Sequence, residues 1–407
     1  MPDPAIPLSE YAERRESLRR ALKHSIGVVF SGDQVNPLHG DFRAHPHFEY
    51  LTGIADEHGA ILILDPANPV ESLREILILR PLDPELEKWD GLRLGVTKAL
   101  KDRTGFKVIL RYDRYPRALS DAARRTKSVA CLHPLAWHTQ PVTPDLALFR
   151  SLAERIPGLA IEDRTEAIAL LRSVKSRHEV AMIQRAIDIT AAGFEALARD
   201  LRPGMSEFDG QEILEHAYRT NGSRGAAFGT IVGSGINSTV LHYRANDRRI
   251  EEGHLVCVDS GARFGGYGAD ITRTLPASGA FTKRQREVYD VVLAANEAAI
   301  KAVKPGVRLA DLDKVARAII NKAGFGDYFI HGIGHHLGLE THDITPDAPL
   351  APGNIITIEP GVYLPDEALG VRIEDDVLVT RDGRKNLSAQ IPKRAAEIEK
   401  IRAGALG

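Results

Sequence analysis

Only two cysteines, Cys131 and Cys257, occur in 407 residues, and Cys257 lies inside the apolar run Leu255–Val258, so a disulfide framework is excluded as the basis of the fold. A reduced, cytoplasmic setting is the expectation that follows. Neither sign of charge dominates: 53 lysines and arginines face 55 aspartates and glutamates, a net charge of -2. Such a balance offers no general attraction to nucleic acid or to an anionic membrane. No apolar run approaches the roughly 18 residues that cross a bilayer, and the charged residues 1–20 lack the apolar core of a secretion signal. Partners are therefore to be sought in a local site.

What is present is ordinary globular material, 43% hydrophobic, in a chain long enough for two domains. Up to residue 162 the pattern alternates in the α/β manner. Strands are expected at Ile26–Phe30, Ala60–Leu64, Glu75–Leu79, Lys107–Leu110 and Leu159–Asp163, with helices such as Leu8–Lys23 and Leu119–Ala123 between them. Pro141, Pro144, Pro157 and Gly158 punctuate its end. From 163 to 407 a second domain is expected, and it repeats itself. A helix opened by the capping box Ser176-x-x-Glu179 ends at Pro203-Gly204, and a second runs from Ser206 to Asn221-Gly222. The same succession returns from Thr282-x-x-Gln285 to Pro305-Gly306 and on to Gly324. The alignment extends into strands, where Asp259 falls against Glu359, and each half continues through a hairpin into a second acidic strand, Gly268–Thr272 with Asp270 and Val371–Asp375 with Glu374. An approximate two-fold arrangement would bring all four carboxylates together.

The stretch His331–Asp343 holds four histidines and three glycines in thirteen residues, which is not core composition. The spacing of His331, His335 and His342 suits one metal ligand flanked by two groups that handle protons, with His336 a bystander. Four carboxylates in apolar strands need counter-charge, since burying one bare charge costs several kcal/mol. With only Arg372 nearby, two divalent cations are the simplest answer, and His335 is their single nitrogen ligand. Oxygen-rich ligation with one imidazole favours Mn²⁺, with Co²⁺ or Zn²⁺ as alternatives. Such a pair suits hydrolysis. Asp259 would be a terminal ligand, Asp270 and Glu374 would bridge, and Glu359 would both bind metal and accept a proton.

These residues resemble the pita-bread metallopeptidases, specifically the Xaa-Pro aminopeptidases and the related Xaa-Pro dipeptidases. The family's ligand order, two Asp, one His and two Glu, is met by Asp259, Asp270, His335, Glu359 and Glu374. The resemblance implies an N-terminal α/β domain that restricts access and builds a homodimer or homotetramer, followed by a catalytic pita-bread domain with an internal pseudo-two-fold repeat. It further implies that His242 and His342 contact the substrate carbonyl and that His331 lines the proline pocket. Phe48–Gly53 is similar to the family's N-terminal signature. Trp89–Gly95 is similar to a loop that reaches a neighbouring subunit's site, although Trp89 alone would read as a domain-interface anchor. Tyr363 and Arg372 are candidates to support the ligands, Arg372 alternatively as a structural partner of Glu374 or Asp376. The implied activity is removal of the N-terminal residue from peptides with proline second. Alternatives are an Xaa-Pro dipeptidase and a catalytically silent pita-bread binding module. Metal-free creatinase-like chemistry is disfavoured by the intact ligand set, and methionine aminopeptidase by the N-terminal domain.

Overall fold

The computed structural model describes residues 3–33, 42–91, 93 and 95–406, and the chain divides into two units. The first, Ile6–Arg172, is built on a six-stranded mixed sheet. Ile26–Phe30 lies at its centre, antiparallel to Ile61–Leu64 and parallel to Ser128–Cys131. Glu75–Leu79 and Ile109–Arg111 extend one side, and Ala160–Asp163 closes the other. Val28, Ile63, Ile78, Val129 and Phe149 are buried against it.

Two features depart from the sequence expectation. Pro144 does not end structure but starts it: it opens the helix Pro144–Ala153, where its missing N–H costs nothing. The division between units falls after Arg172 rather than at 162/163. The cause is local, because the helix Thr165–Ser173 is tied to the first unit by Arg172, within 2.8 Å of His47 Nδ1, and by the Tyr50 hydroxyl, which donates to Leu171 O at 3.0 Å.

The second unit holds the repeat. The helices Arg177–Asp200 and Glu207–Thr220 pack together in one half, and Lys283–Ala302 and Leu309–Lys322 in the other. Ser176 and Thr282 cap the two long helices by equivalent reciprocal bonds to Glu179 and Gln285. Each half adds a three-stranded sheet. One places Leu255–Ser260 between Ile231–Ser234 and Ile271–Pro276; the other places Asp375–Thr380 between Ile355–Ile358 and Gly383–Asn386.

The acidic strands are each broken where the sequence suggested continuity. Tyr267–Gly268 pairs with Arg263–Phe264, and the next strand begins only at Ile271; Leu369–Arg372 pairs with Gly361–Leu364, and the next begins only at Asp375. Asp270 and Glu374 occupy the breaks because their backbone N–H groups serve the other half of the repeat. Asp270 N donates to Asp376 Oδ2 at 3.2 Å, and Glu374 N donates to Thr272 O at 3.1 Å. Val258, Ile356, Ile358, Val362 and Ile373 fill the shared core.

Candidate active site

The histidine segment has no helix or strand of its own, yet it is held as an added edge. Leu337 N, Thr357 N and Glu359 N bond Ile355 O, His335 O and Ile333 O at 2.9–3.0 Å, an antiparallel ladder that sets His335 beside Glu359. Close approach makes Gly334 obligatory: at φ +155°, a Cβ there would sit 2.1 Å from Thr357 O.

Around this edge Asp259, Asp270, His331, His335, His342, Glu359, Arg372, Glu374 and His242 line one cavity of about 590 Å³. His335 donates through Nδ1 to His336 O at 3.0 Å, which leaves Nε2 as the acceptor. That nitrogen lies 3.4 Å from Asp270 Oδ2 and 3.4 Å from Glu359 Oε1. Thr272 Oγ1 donates to Glu374 Oε2 at 2.6 Å, and Thr357 Oγ1 to Glu359 Oε1 at 3.3 Å. The His342 ring stacks on His335, centroids 4.0 Å apart, and meets the His242 ring edge-on at 6.4 Å. His331 Nε2 lies 2.8 Å from the hydroxyl of buried Tyr363.

Arg372 is not the partner of Glu374 or Asp376. Its guanidinium pairs with Asp259 Oδ2 at 2.7 Å, and also donates to the Tyr363 hydroxyl and to Thr272 Oγ1 at 3.0 Å each. The carboxylates near Glu374 are met otherwise: Arg273 and Lys393 take Asp375, and Asp270 N donates to Asp376. Asp376, fully buried, supports the site by accepting from Asp270 N, a role the sequence reading, which named it only as a partner for Arg372, does not give it. Its only signal was the unbroken acidic run Glu374–Asp376. Trp89 belongs to the first unit, 86% exposed on the helix Pro84–Asp90; positions 92 and 94 of its loop lie outside the described residues.

The electrostatics ask for a cation. Burial, then repulsion from Glu374, Asp259, Asp376 and Glu359, pushes the Asp270 carboxyl well above the usual range. Glu374 is raised by burial and then by Glu359 and Asp259, and Glu359 is pushed up to about 7, chiefly by burial. His335 and His331 are lowered by burial to about 4 and are neutral donors at pH 7. Asp259 Oδ1 and Asp376 Oδ1 are buried and meet no hydrogen-bond partner among the described residues. Ligand atoms of Asp270, His335 and Glu374 lie within 4.8 Å of one another. Converging oxygens, one free imidazole nitrogen and orphaned carboxylate oxygens fit divalent metal.

A hydrolase that works through metal is the class this fold and site define. The sequence pattern of metallopeptidase family M24 matches residues 181–381, and that of the aminopeptidase P N-terminal domain matches residues 11–130. The Xaa-Pro aminopeptidase of Haemophilus influenzae is 30% identical over 97% of this chain and 97% of its own length. The chain belongs to metallopeptidase family M24, in its Xaa-Pro aminopeptidase and dipeptidase branch. A solved structure from Bacillus anthracis, provisionally assigned as an aminopeptidase P, superposes with a TM-score of 0.92 at 33% identity, covering 98% of this chain and 99% of that one. The Xaa-Pro dipeptidase of Pyrococcus furiosus is 41% identical, but over 55% of this chain and 65% of its own length.

Proposed function

We propose that this chain is an Xaa-Pro aminopeptidase that uses two metal ions and releases the first residue of peptides whose second residue is proline. The single observation that carries the reading is the cavity in which Asp259, Asp270, His335, Glu359 and Glu374 converge beneath His242, His331 and His342. Asp259, Asp270, His335, Glu359 and Glu374 are assigned as ligands, with Mn²⁺ preferred on their oxygen-rich character and Co²⁺ or Zn²⁺ as substitutes. When bound, such a pair polarises the scissile carbonyl and acidifies water.

The protein side of the reaction is proton handling and placement. Glu359, at about 7, is poised to take a proton near neutral pH. His242 and His342 present their rings across the cavity and are assigned to the developing oxyanion. His331, fixed through Tyr363 to Arg372, is assigned to the wall that receives proline. Arg372 neutralises one oxygen of Asp259 and so limits its charge toward the metals.

The dipeptidase reading has one specific support, the higher identity of the catalytic half to the Pyrococcus furiosus enzyme. Full-length similarity to aminopeptidases weighs more, because a dipeptidase must close its pocket on a free carboxylate and an aminopeptidase must leave chain room to run out. Comparing kcat/KM for Xaa-Pro with Xaa-Pro-Xaa and longer peptides decides between them. Longer substrates are expected to be cut at least as well; cleavage of the dipeptide alone would make the enzyme a dipeptidase. The two buried free cysteines support a cytoplasmic location, and no helix among the described residues is long and apolar enough to cross a membrane. We assign the first domain to access and assembly as a homodimer or homotetramer, supported by the exposure of Trp89. A monomeric mass in light scattering would overturn that assignment.

A further inference from the structure

The His242 ring meets that of His342 edge-on at 6.4 Å. His242 is exposed, and among the described residues no side-chain hydrogen bond reaches its ring. Its place over the cavity is therefore set by the backbone of the segment that carries it, which leaves the strand Ile231–Ser234 and returns at Arg248. That segment has no regular structure beyond one turn of 3₁₀ helix, Gly235–Thr239.

Outside the cavity lies the fully buried carboxylate of Glu207, in the first turn of the helix Glu207–Thr220. Its Oε1 accepts from Ser234 N at 2.6 Å and from Asn237 Nδ2 at 3.1 Å. Its Oε2 accepts from the Tyr243 hydroxyl at 2.8 Å and from Arg248 N at 3.0 Å. The four donors are spread from the start of the segment to its end, and Tyr243 is the direct neighbour of His242. Glu207 N also donates to Arg248 O at 2.9 Å, which closes the ring of bonds. One turn further along the same helix, Gln211 accepts from Asn246 Nδ2 at 2.8 Å.

None of the four donors is a cation. A carboxylate used this way is a hub that fixes backbone, since each of its lone pairs is spent on a different part of one loop. We infer that Glu207 is a positioning residue for the reaction: it sets the height and direction of His242 over the cavity by gathering Ser234, Asn237, Tyr243 and Arg248 on one buried carboxylate. This rests on the assignment of His242 proposed above. A catalytic group misplaced by an ångström loses much of its effect, so the distance from Glu207 to the chemistry does not make it dispensable.

The test is a double-mutant cycle in the metal-loaded, full-length enzyme. Glu207→Gln replaces one accepting oxygen by a donor that faces donors, and Tyr243→Phe removes one of the four bonds while leaving the buried carboxylate intact. Both are expected to lower kcat for an Xaa-Pro-Xaa peptide, by roughly 10- to 100-fold for Glu207→Gln and less for Tyr243→Phe, with metal content unchanged and KM moved less than kcat. In a His242→Ala background neither should lower kcat further, because the group they position is gone. A merely structural Glu207 would give the same loss with and without His242, or a lower melting temperature at unchanged kcat, and either result overturns the inference. If Glu207→Gln does not fold, Tyr243→Phe carries the same cycle. Should His242→Ala itself be fully active, the role assigned to His242 falls and this inference with it, whereas an impaired His242→Ala with additive losses overturns this inference alone.

Discussion

Glu359 shows how one side chain takes two duties from its surroundings. Burial raises its carboxyl to about 7 while Arg372 opposes the rise, and Thr357 holds one of its oxygens. Glu359→Gln keeps the shape and removes the basicity, so kcat is expected to fall by at least ~10²-fold, measured beside metal content by elemental analysis. Near-normal turnover in a fully loaded variant would send the proton elsewhere. At this scale the sequence was informative where residue type alone restricts chemistry. Four histidines among glycines are not ordinary core composition, and the Nε2 of His335 lies 3.4 Å from both Asp270 and Glu359. It was silent where a role depends on the partner chosen in space. Arg372 turned to Asp259 rather than to Glu374 or Asp376, and Asp376 instead accepts from Asp270 N, contacts between residues more than one hundred positions apart.

Elements carry the next layer of organisation. The loop bearing His342 is closed by pairing between His336 and Asp343, and it is anchored from below by the ion pair of Lys175 with Asp343 at 2.9 Å, both 1% exposed. Removing one partner strands the other charge, so Lys175→Met should destabilise the protein by about 3–5 kcal/mol in chemical denaturation, and adding Asp343→Leu should restore most of it. A loss under about 1 kcal/mol would mean the pair is hydrated in solution. Helix limits were readable because capping is a local code: Ser176 and Thr282 open their helices as the sequence announced, and Ser206, read as the first residue of its helix, caps it. Strand limits around the acids were not, since Asp270 and Glu374 leave their ladders to bond the opposite half of the repeat. Pro144 misled for a related reason, because proline ends helices and also starts them, and only the preceding turn decides.

At the scale of the whole molecule, the two units answer to different conditions. The first packs three imidazoles together, half-buried His45 and buried His47 and His133, with His45 and His133 centroids 4.5 Å apart and Arg172 against His47. Burial depresses all three, His45 to about 3; neighbouring rings and Arg172 add to it at His45 and His47, whereas Asp145 opposes it at His133. A group whose folded pKa lies below its unfolded value gives stability that is present above the unfolded pKa, near 6.5, and is lost as pH falls below it. Between its folded and unfolded pKa a histidine of this kind removes at most about 1.4 kcal/mol per pH unit. Thermal scans from pH 7 to pH 5 should therefore show the melting temperature falling, and less steeply in His133→Asn; equal slopes would clear the cluster. The repeat was legible as a whole because its halves keep the same caps, turns and acids in order. What order alone did not convey is that neither half is a site. Asp259 and Asp270 come from one copy, and His335, Glu359 and Glu374 from the other. Divalent metal held by these residues would strap the duplicated halves together as well as supply chemistry, so that folding and loading would become one equilibrium. At a free metal concentration one hundred times Kd, each ion adds about 2.7 kcal/mol to the folded state. Stripping it with chelator should thus abolish peptidase activity and lower the unfolding temperature together, Mn²⁺ returning both, so that a cell short of metal would hold this protein as a looser, more easily degraded chain rather than as an idle intact one.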